Sequence, residues 1–224
     1  MFLYLSTKWS NNSFMRKKAL DSETEKKILR AAINVFHKRG IHGARMQEIA
    51  NEAGVSKSML HYYFVNKEKL FSKVFEMTMK NIFPKINSIL VSDLPLFQKI
   101  AVFMSTYTDI LFDEHHSTGF IISEMAVNTE KVLKMTVSGA GFDMTRFRKQ
   151  IEDEYKKGNI EKTDVRILIL NMISLCVFPF VAMPIQLQRF NMKEHEYFQL
   201  LEKRKSIITQ MIIDSIKKGE LITA

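Results

Sequence analysis

Between positions 40 and 70 the chain reads GIHGARMQEIANEAGVSKSMLHYYFVNKEKL, and few folds accommodate such a stretch. Gly40 and Gly54 are breakpoints at which the backbone can turn through positive φ. Ser56 and Asn66 are helix-capping residues, each followed by helix-forming sequence. Between these marks the apolar residues recur at helical rather than alternating spacing. The pattern predicts a short helix over 46–53 with Ile49, Ala50 and Ala53 inward, and another over 57–62 that buries Leu60, with Phe64 just beyond. A longer helix from Lys67 buries Leu70, Phe71, Val74 and Phe75. Upstream, Ser22 and Glu25 have the spacing of a capping box. They predict a first helix running to about Lys38, with Ile28, Ala31, Ala32, Val35 and Phe36 on one stripe. Three helices packed around so small a core, the middle pair joined by a tight turn, form a helix-turn-helix.

Charge shows what such a head could meet. The 224-residue chain carries a formal net charge of +9. Residues 1–80 contain 15 Lys+Arg against 7 Asp+Glu, whereas the remaining residues hold 18 against 17. A basic head on a nearly neutral body suits a polyanion. A short helix held across another presents its first residues to the major groove of DNA. Lys57 can reach a base edge or phosphate there, while His61, Tyr62 and Tyr63 can donate to phosphates or lie against thymine methyls. Lys67 begins the fourth helix, where a cation and a helix N-terminus converge on a phosphate oxygen. With 46% hydrophobic residues but 8 Gly and 4 Pro, the whole chain reads as all-α.

The same residues carry a resemblance. Gly40, Ile41, Ile49, Ala50, Ala53, Gly54, Val55, Ser56, Leu60, Phe64, Lys67, Glu68 and Leu70 resemble the head of the TetR/AcrR family of bacterial transcription regulators. The likeness covers about residues 24–75. It implies an N-terminal helix-turn-helix DNA-binding domain and a C-terminal helical domain for ligand binding and dimerisation. The implied DNA contacts fall on Arg45, Gln47, Lys57, Ser58, Met59, His61, Tyr62, Tyr63 and Lys67. Four positions depart from the family pattern. A threonine pair is replaced by Ala44-Arg45, which removes a hydroxyl cap. A glycine is replaced by Ser58, and a phosphate-touching tyrosine by His61. The Arg16-Lys17-Lys18 run could enter a minor groove as an arm.

Domain limits are expected at 1–21 for a disordered or variable extension, 22–83 for the head with its connecting helix, and 84–224 for the body. Residues 1–14 lack the basic start and cleavage site of a signal peptide, and Met15 opens a more ordinary beginning. In the body, Pro84 and Ser92-Asp93-Leu94-Pro95 mark breaks, with helices at 95–113, 117–127, 130–157, 164–189 and 195–218. The run Gly139-Ala140-Gly141 interrupts the third. The resemblance implies that the last two helices pair across a dimer. Leu168, Met172, Leu175, Phe178, Phe180, Phe198, Leu201, Ile208 and Met211 are the candidate interface. Fourteen Met and seventeen Phe suggest an adaptable apolar cavity lined by Phe103, Tyr107, Phe112, Phe120, Met125, Phe142, Met144 and Phe147.

Other chemistry finds little support. No nucleophile–base spacing, phosphate loop or metal motif stands out, so neither an enzyme nor a cofactor is expected. Asp113, Glu114, His115 and His116 could ligate a metal, but adjacent residues diverge around a helix and no metal is expected. Cys176, the single cysteine, lies in an apolar run and reads as a packing residue in a reducing cytoplasm. The run 167–185 is interrupted by polar residues and two prolines and reads as core, not as a membrane span. The leading expectation is a homodimeric repressor released from a near-palindromic operator by a small apolar or amphipathic ligand. The alternative is a protein-interaction adaptor with a degenerate DNA face.

Overall fold

The computed structural model describes residues 3–115, 118–119, 121–122, 125, 129–130, 133 and 143–219, with side chains from Asp21 onward except those of His37 and His42. Among them are nine helices and no strand: α1 (Leu3–Gly43), α2 (Met46–Ala53), α3 (Lys57–Tyr63), α4 (Lys67–Leu90), α5 (Leu96–Asp113), α6 (Thr145–Lys156), α7 (Val165–Val181), α8 (Met183–Arg189) and α9 (Glu194–Ile216). The fold is all-α. Contacts divide it into Met1–Met77 and Thr78–Ala224, the division falling inside α4.

In the first unit, α1 begins at Leu3, so Ser22 lies within the helix and does not cap it. The reason is visible in residues 3–21, which contain neither Gly nor Pro to stop a helix. Gly40, at φ 64 and ψ 172, breaks helical geometry near the expected end. The inward stripe of α1 meets α2, whose Ile49 and Ala50 are fully buried, and α2 packs on α3, whose Leu60 is fully buried. Phe36 packs edge-to-face on Phe71 of α4 at 5.3 Å between ring centres.

In the second unit, α5 packs against both α7 and α9. Phe103, Met104, Leu111, Leu168, Met172, Cys176, Leu201 and Ile208 form the core. Burial pushes the Cys176 thiol above its ordinary value, which disfavours the reactive thiolate. Prolines placed the helix breaks differently from expectation. Pro84 does not end α4: it is exposed, so the ladder bond that it cannot donate is lost on the solvent side, where water substitutes. The break at 91–95 is real, and its carbonyls are taken by side chains. Lys99 donates to Leu90 O at 3.2 Å, Arg146 to Val91 O at 2.8 Å and Gln150 to Leu94 O at 2.8 Å. The Lys99 side chain is buried at the C-terminus of α4, and burial lowers its affinity for the proton.

The single helix expected over 164–189 is two, α7 and α8, bent by 60°. Pro179 withholds an N–H from the Leu175 carbonyl, and Pro184 withholds one from that of Phe180. Arg204 Nη1 of α9 donates to Leu175 O at 2.6 Å in place of the bond lost to Pro179, and Tyr197 Oη of α9 donates to Pro179 O near the helix end at 3.1 Å. Asp164 caps α7 by accepting from Arg166 N at 2.8 Å, and the adjacent guanidinium holds its carboxyl down at about 2. No single helix among the described residues is long and apolar enough to cross a membrane, although the bent pair α7–α8 has the length and composition. The segment containing Gly139-Ala140-Gly141 lies outside the described residues.

Replacing Arg204 by Leu strands the Leu175 carbonyl and is expected to cost about 1–3 kcal/mol in urea unfolding. Pro179→Ala restores a backbone donor at that carbonyl, so the Arg204→Leu cost should shrink in the Pro179→Ala background. Equal costs in both backgrounds would exclude this account.

Candidate nucleic-acid interface

The turn between α2 and α3 is set by two residues. Gly54 adopts the left-handed conformation at φ 65 and ψ 33, and its N–H closes on Asn51 O at 3.1 Å. Ser56 then caps α3, its hydroxyl accepting from Met59 N at 3.1 Å. Asn66 does the same for α4, accepting from Lys69 N at 2.9 Å. Leu60 is the only buried residue of α3, so the rest of that helix faces out or lies half-buried.

The expected DNA contacts separate into two groups. Arg45, Gln47, Lys57, Ser58, Met59, His61 and Tyr62 are exposed on the head. Arg45 precedes α2 without a side-chain cap bond, as the missing hydroxyl implied. Several of these groups already hold a partner. Gln47 Nε2 donates to Asn51 Oδ1 at 2.9 Å, Ser58 Oγ lies 2.9 Å from Ser56 Oγ, and His61 Nδ1 lies 3.1 Å from Val65 O. Tyr63 and Lys67 are half-buried and face inward. Tyr63 Oη donates to Asp21 at 3.0 Å, and Lys67 Nζ donates to Ala44 O at 3.1 Å. Sequence reasoning missed Asp21, whose role appears only when α1 and α3 come together.

In the second unit, a cavity of about 440 Å³ lies among Met79, Ile82, Phe83, Tyr107, Leu111, Ile173, Val177 and Phe178, with Glu114, Thr118 and Ser174 as polar neighbours. Its size falls within the range of small-molecule sites. Of the expected lining, Tyr107 and Met125 contribute. Burial holds the Tyr107 phenol well above its ordinary pKa, so it stays protonated. Phe103 and Phe147 are core residues, and Met144 is half-buried but not among the lining. Phe112 is held edge-on by Phe180 at 5.3 Å and Phe198 at 5.5 Å. Phe120 and Phe142 lie outside the described residues. His115 is turned to Phe112 O, with Nδ1 at 2.6 Å, and no metal-capable group of three occurs among the described residues.

The expected dimer stripe needs correction. Leu168, Met172, Phe180, Leu201 and Ile208 are buried in the protomer's own core and present no surface to a partner. Leu175 and Phe198 are half-buried. Phe178 and Met211 are exposed, and their exposed apolar neighbours are Ile167, Leu170 and Val181 on α7 and Leu200 and Ile207 on α9. Since α7 is apolar on every side, periodicity there cannot say which stripe faces in.

Residues 28–74 match the family model described as "Bacterial regulatory proteins, tetR family". Residues 28–74 are thus a TetR-family segment. The chain is 45% identical over 58 residues to the HTH-type transcriptional regulator RutR of Escherichia coli (strain K12), a match covering 26% of this chain and 27% of RutR. The match thus spans about a quarter of that relative's length. To the HTH-type transcriptional activator FasR of Mycolicibacterium smegmatis it is 34% identical, with 44% of each chain covered. A longer match, at 28% identity, covers 69% of this chain and 81% of YhgD of Bacillus subtilis, described as an uncharacterized HTH-type transcriptional regulator. Among solved structures, HlyIIR, a hemolysin II transcriptional regulator, aligns with TM-score 0.60 at 20% identity over 89% of this chain and 99% of its own. A putative fatty acid metabolism regulator of Clostridium perfringens aligns with TM-score 0.64 at 20% identity over 86% and 100%. These similarities establish the TetR fold across both units.

Adding a Cβ at Gly54 meets nothing within 4 Å, so substitution there tests backbone conformation alone. Gly54→Ala should destabilise the protein by about 1 kcal/mol, and Gly54→Asn by less, in thermal or urea unfolding. Ser56→Ala should cost about 1 kcal/mol as well.

Proposed function

We propose that this TetR-family chain is a transcription regulator that binds DNA as a homodimer and represses until a small apolar or amphipathic molecule occupies its body. The observation that carries the reading is an exposed, capped α3 on a basic head. Residues 22–83 serve as the DNA-binding head and 84–224 as the ligand-binding and dimerisation body, at work in the cytoplasm. Two α3 helices then sit about 34–36 Å apart on a near-palindromic operator. Repression rather than activation is supported by 45% identity over 53 residues to the transcriptional repressor NicS of Pseudomonas putida; FasR is an activator. The exposed apolar stripes of α7 and α9 supply a surface that a second copy would bury. The cavity supplies the ligand site, and a ligand that binds one arrangement of the heads better than another shifts the balance between them. No enzymatic step is needed.

A second reading, a protein-binding adaptor on this fold, draws on the exposed Met59, Tyr62 and Val65. Fluorescence anisotropy with the DNA upstream of the chain's own gene separates the two. A regulator should bind that DNA tightly at low salt and lose roughly 10³-fold or more in affinity between 50 and 200 mM salt. It should also prefer that DNA to a random duplex. Weak, equal binding to both would leave the adaptor.

The dimer is tested separately. Ile207→Glu places a carboxylate in the proposed interface without entering the core. It should give a monomer by sedimentation at concentrations where the wild type is dimeric, and should weaken operator binding with it.

A further inference from the structure

The DNA-binding reading leaves open what α3 recognises, and the free head narrows the choice. Side chains that usually read bases by hydrogen bonds are scarce or engaged. Gln47 is bonded to Asn51, Ser58 to Ser56, and His61 to the Val65 carbonyl. Tyr63 is turned to Asp21, and Lys67 to the Ala44 carbonyl. Beside them α3 presents apolar surface: Met59 is 45% exposed and Tyr62 75%. The two are three residues apart and so share one helix face. Tyr62 lies edge-on to Tyr63, with ring centres 5.3 Å apart and planes at 88°. Val65 is equally open but lies past the end of α3.

An apolar face on a head that also exposes Arg45 and Lys57 fits one feature of the major groove. Thymine alone among the four bases carries a methyl group there; guanine, adenine and cytosine offer hydrogen-bonding edges. The cations take the phosphates on either side, consistent with the basic balance of residues 1–80. We propose that Met59 and Tyr62 read thymine 5-methyl groups, so that each operator half-site places thymine opposite this pair. The inference rests on the DNA-binding reading and gives it a chemical specificity.

The test uses the full-length protein and a duplex selected by it from a random pool. The selected duplex is remade with deoxyuridine for thymine, which deletes the methyl and leaves every hydrogen-bonding edge unchanged. Affinity is expected to fall about fourfold for each contacted methyl, and roughly fifteenfold for one in each half-site. Met59→Ser combined with Tyr62→Ser should bind the thymine and deoxyuridine duplexes alike. Circular dichroism should show the variant as helical as the wild type, because neither side chain belongs to the core. Selective wild-type binding that is indifferent to the methyl would overturn methyl reading and leave the DNA-binding function standing. Failure to select any duplex would overturn both, and would assign the Met59–Tyr62 face to a protein partner.

Discussion

A helix of seven residues is not stable by itself in water, since its few internal bonds do not offset the cost of nucleation. Everything proposed for α3 therefore depends on how its neighbours hold it. Leu60 is its one fully buried anchor, and Phe64 follows immediately after. Gly54 sets the angle of entry and Ser56 closes the first turn. The Tyr63–Asp21 bond ties the last residue of the helix to α1, and the Lys67–Ala44 bond ties the start of α4 to the segment before α2. These contacts are local to the head and convert a marginal helix into a fixed one.

The body solves a different problem. Pro179 removes a backbone donor from buried α7, and the turn at 91–95 leaves carbonyls with no helical partner. The solution is to borrow donors from elsewhere. Arg204 and Tyr197 of α9 serve α7, while Lys99, Arg146 and Gln150 serve the turn between α4 and α5. Long polar side chains thus act as backbone surrogates, and the helices they join are fastened at specific points as well as by apolar contact. On the α7 side the cavity is lined by Ile173, Val177 and Phe178.

How much of this was legible depended on the range of the interaction. The α2 bounds, the Gly54 turn, the Ser56 and Asn66 caps and the inward residues of the head follow from spacing over a few residues, and the sequence shows them directly. The Ser22 capping box had the right letters but no preceding helix stop. Five residues of the expected dimer stripe are buried in the protomer instead, because α7 is apolar around its girth and its inward side is decided by α5 and α9, which are distant in sequence. Asp21, Lys99 and Arg204 carried no signal at all. Each is an ordinary polar residue locally, and acquires its role from a carbonyl or hydroxyl that only the tertiary fold brings within reach. Tyr63 illustrates the same limit: its pattern implied an outward contact, whereas Asp21 draws its hydroxyl inward.

Because Leu60 is the only side chain of α3 committed fully to the interior, Lys57, Ser58, Met59, His61 and Tyr62 can change with little penalty to folding. Selection can then retune what the helix touches one residue at a time, without passing through poorly folded intermediates. Such an arrangement lets duplicated genes on one scaffold diverge toward new target sites. The departures at Ser58 and His61 from the family pattern are the kind of drift that this tolerance allows.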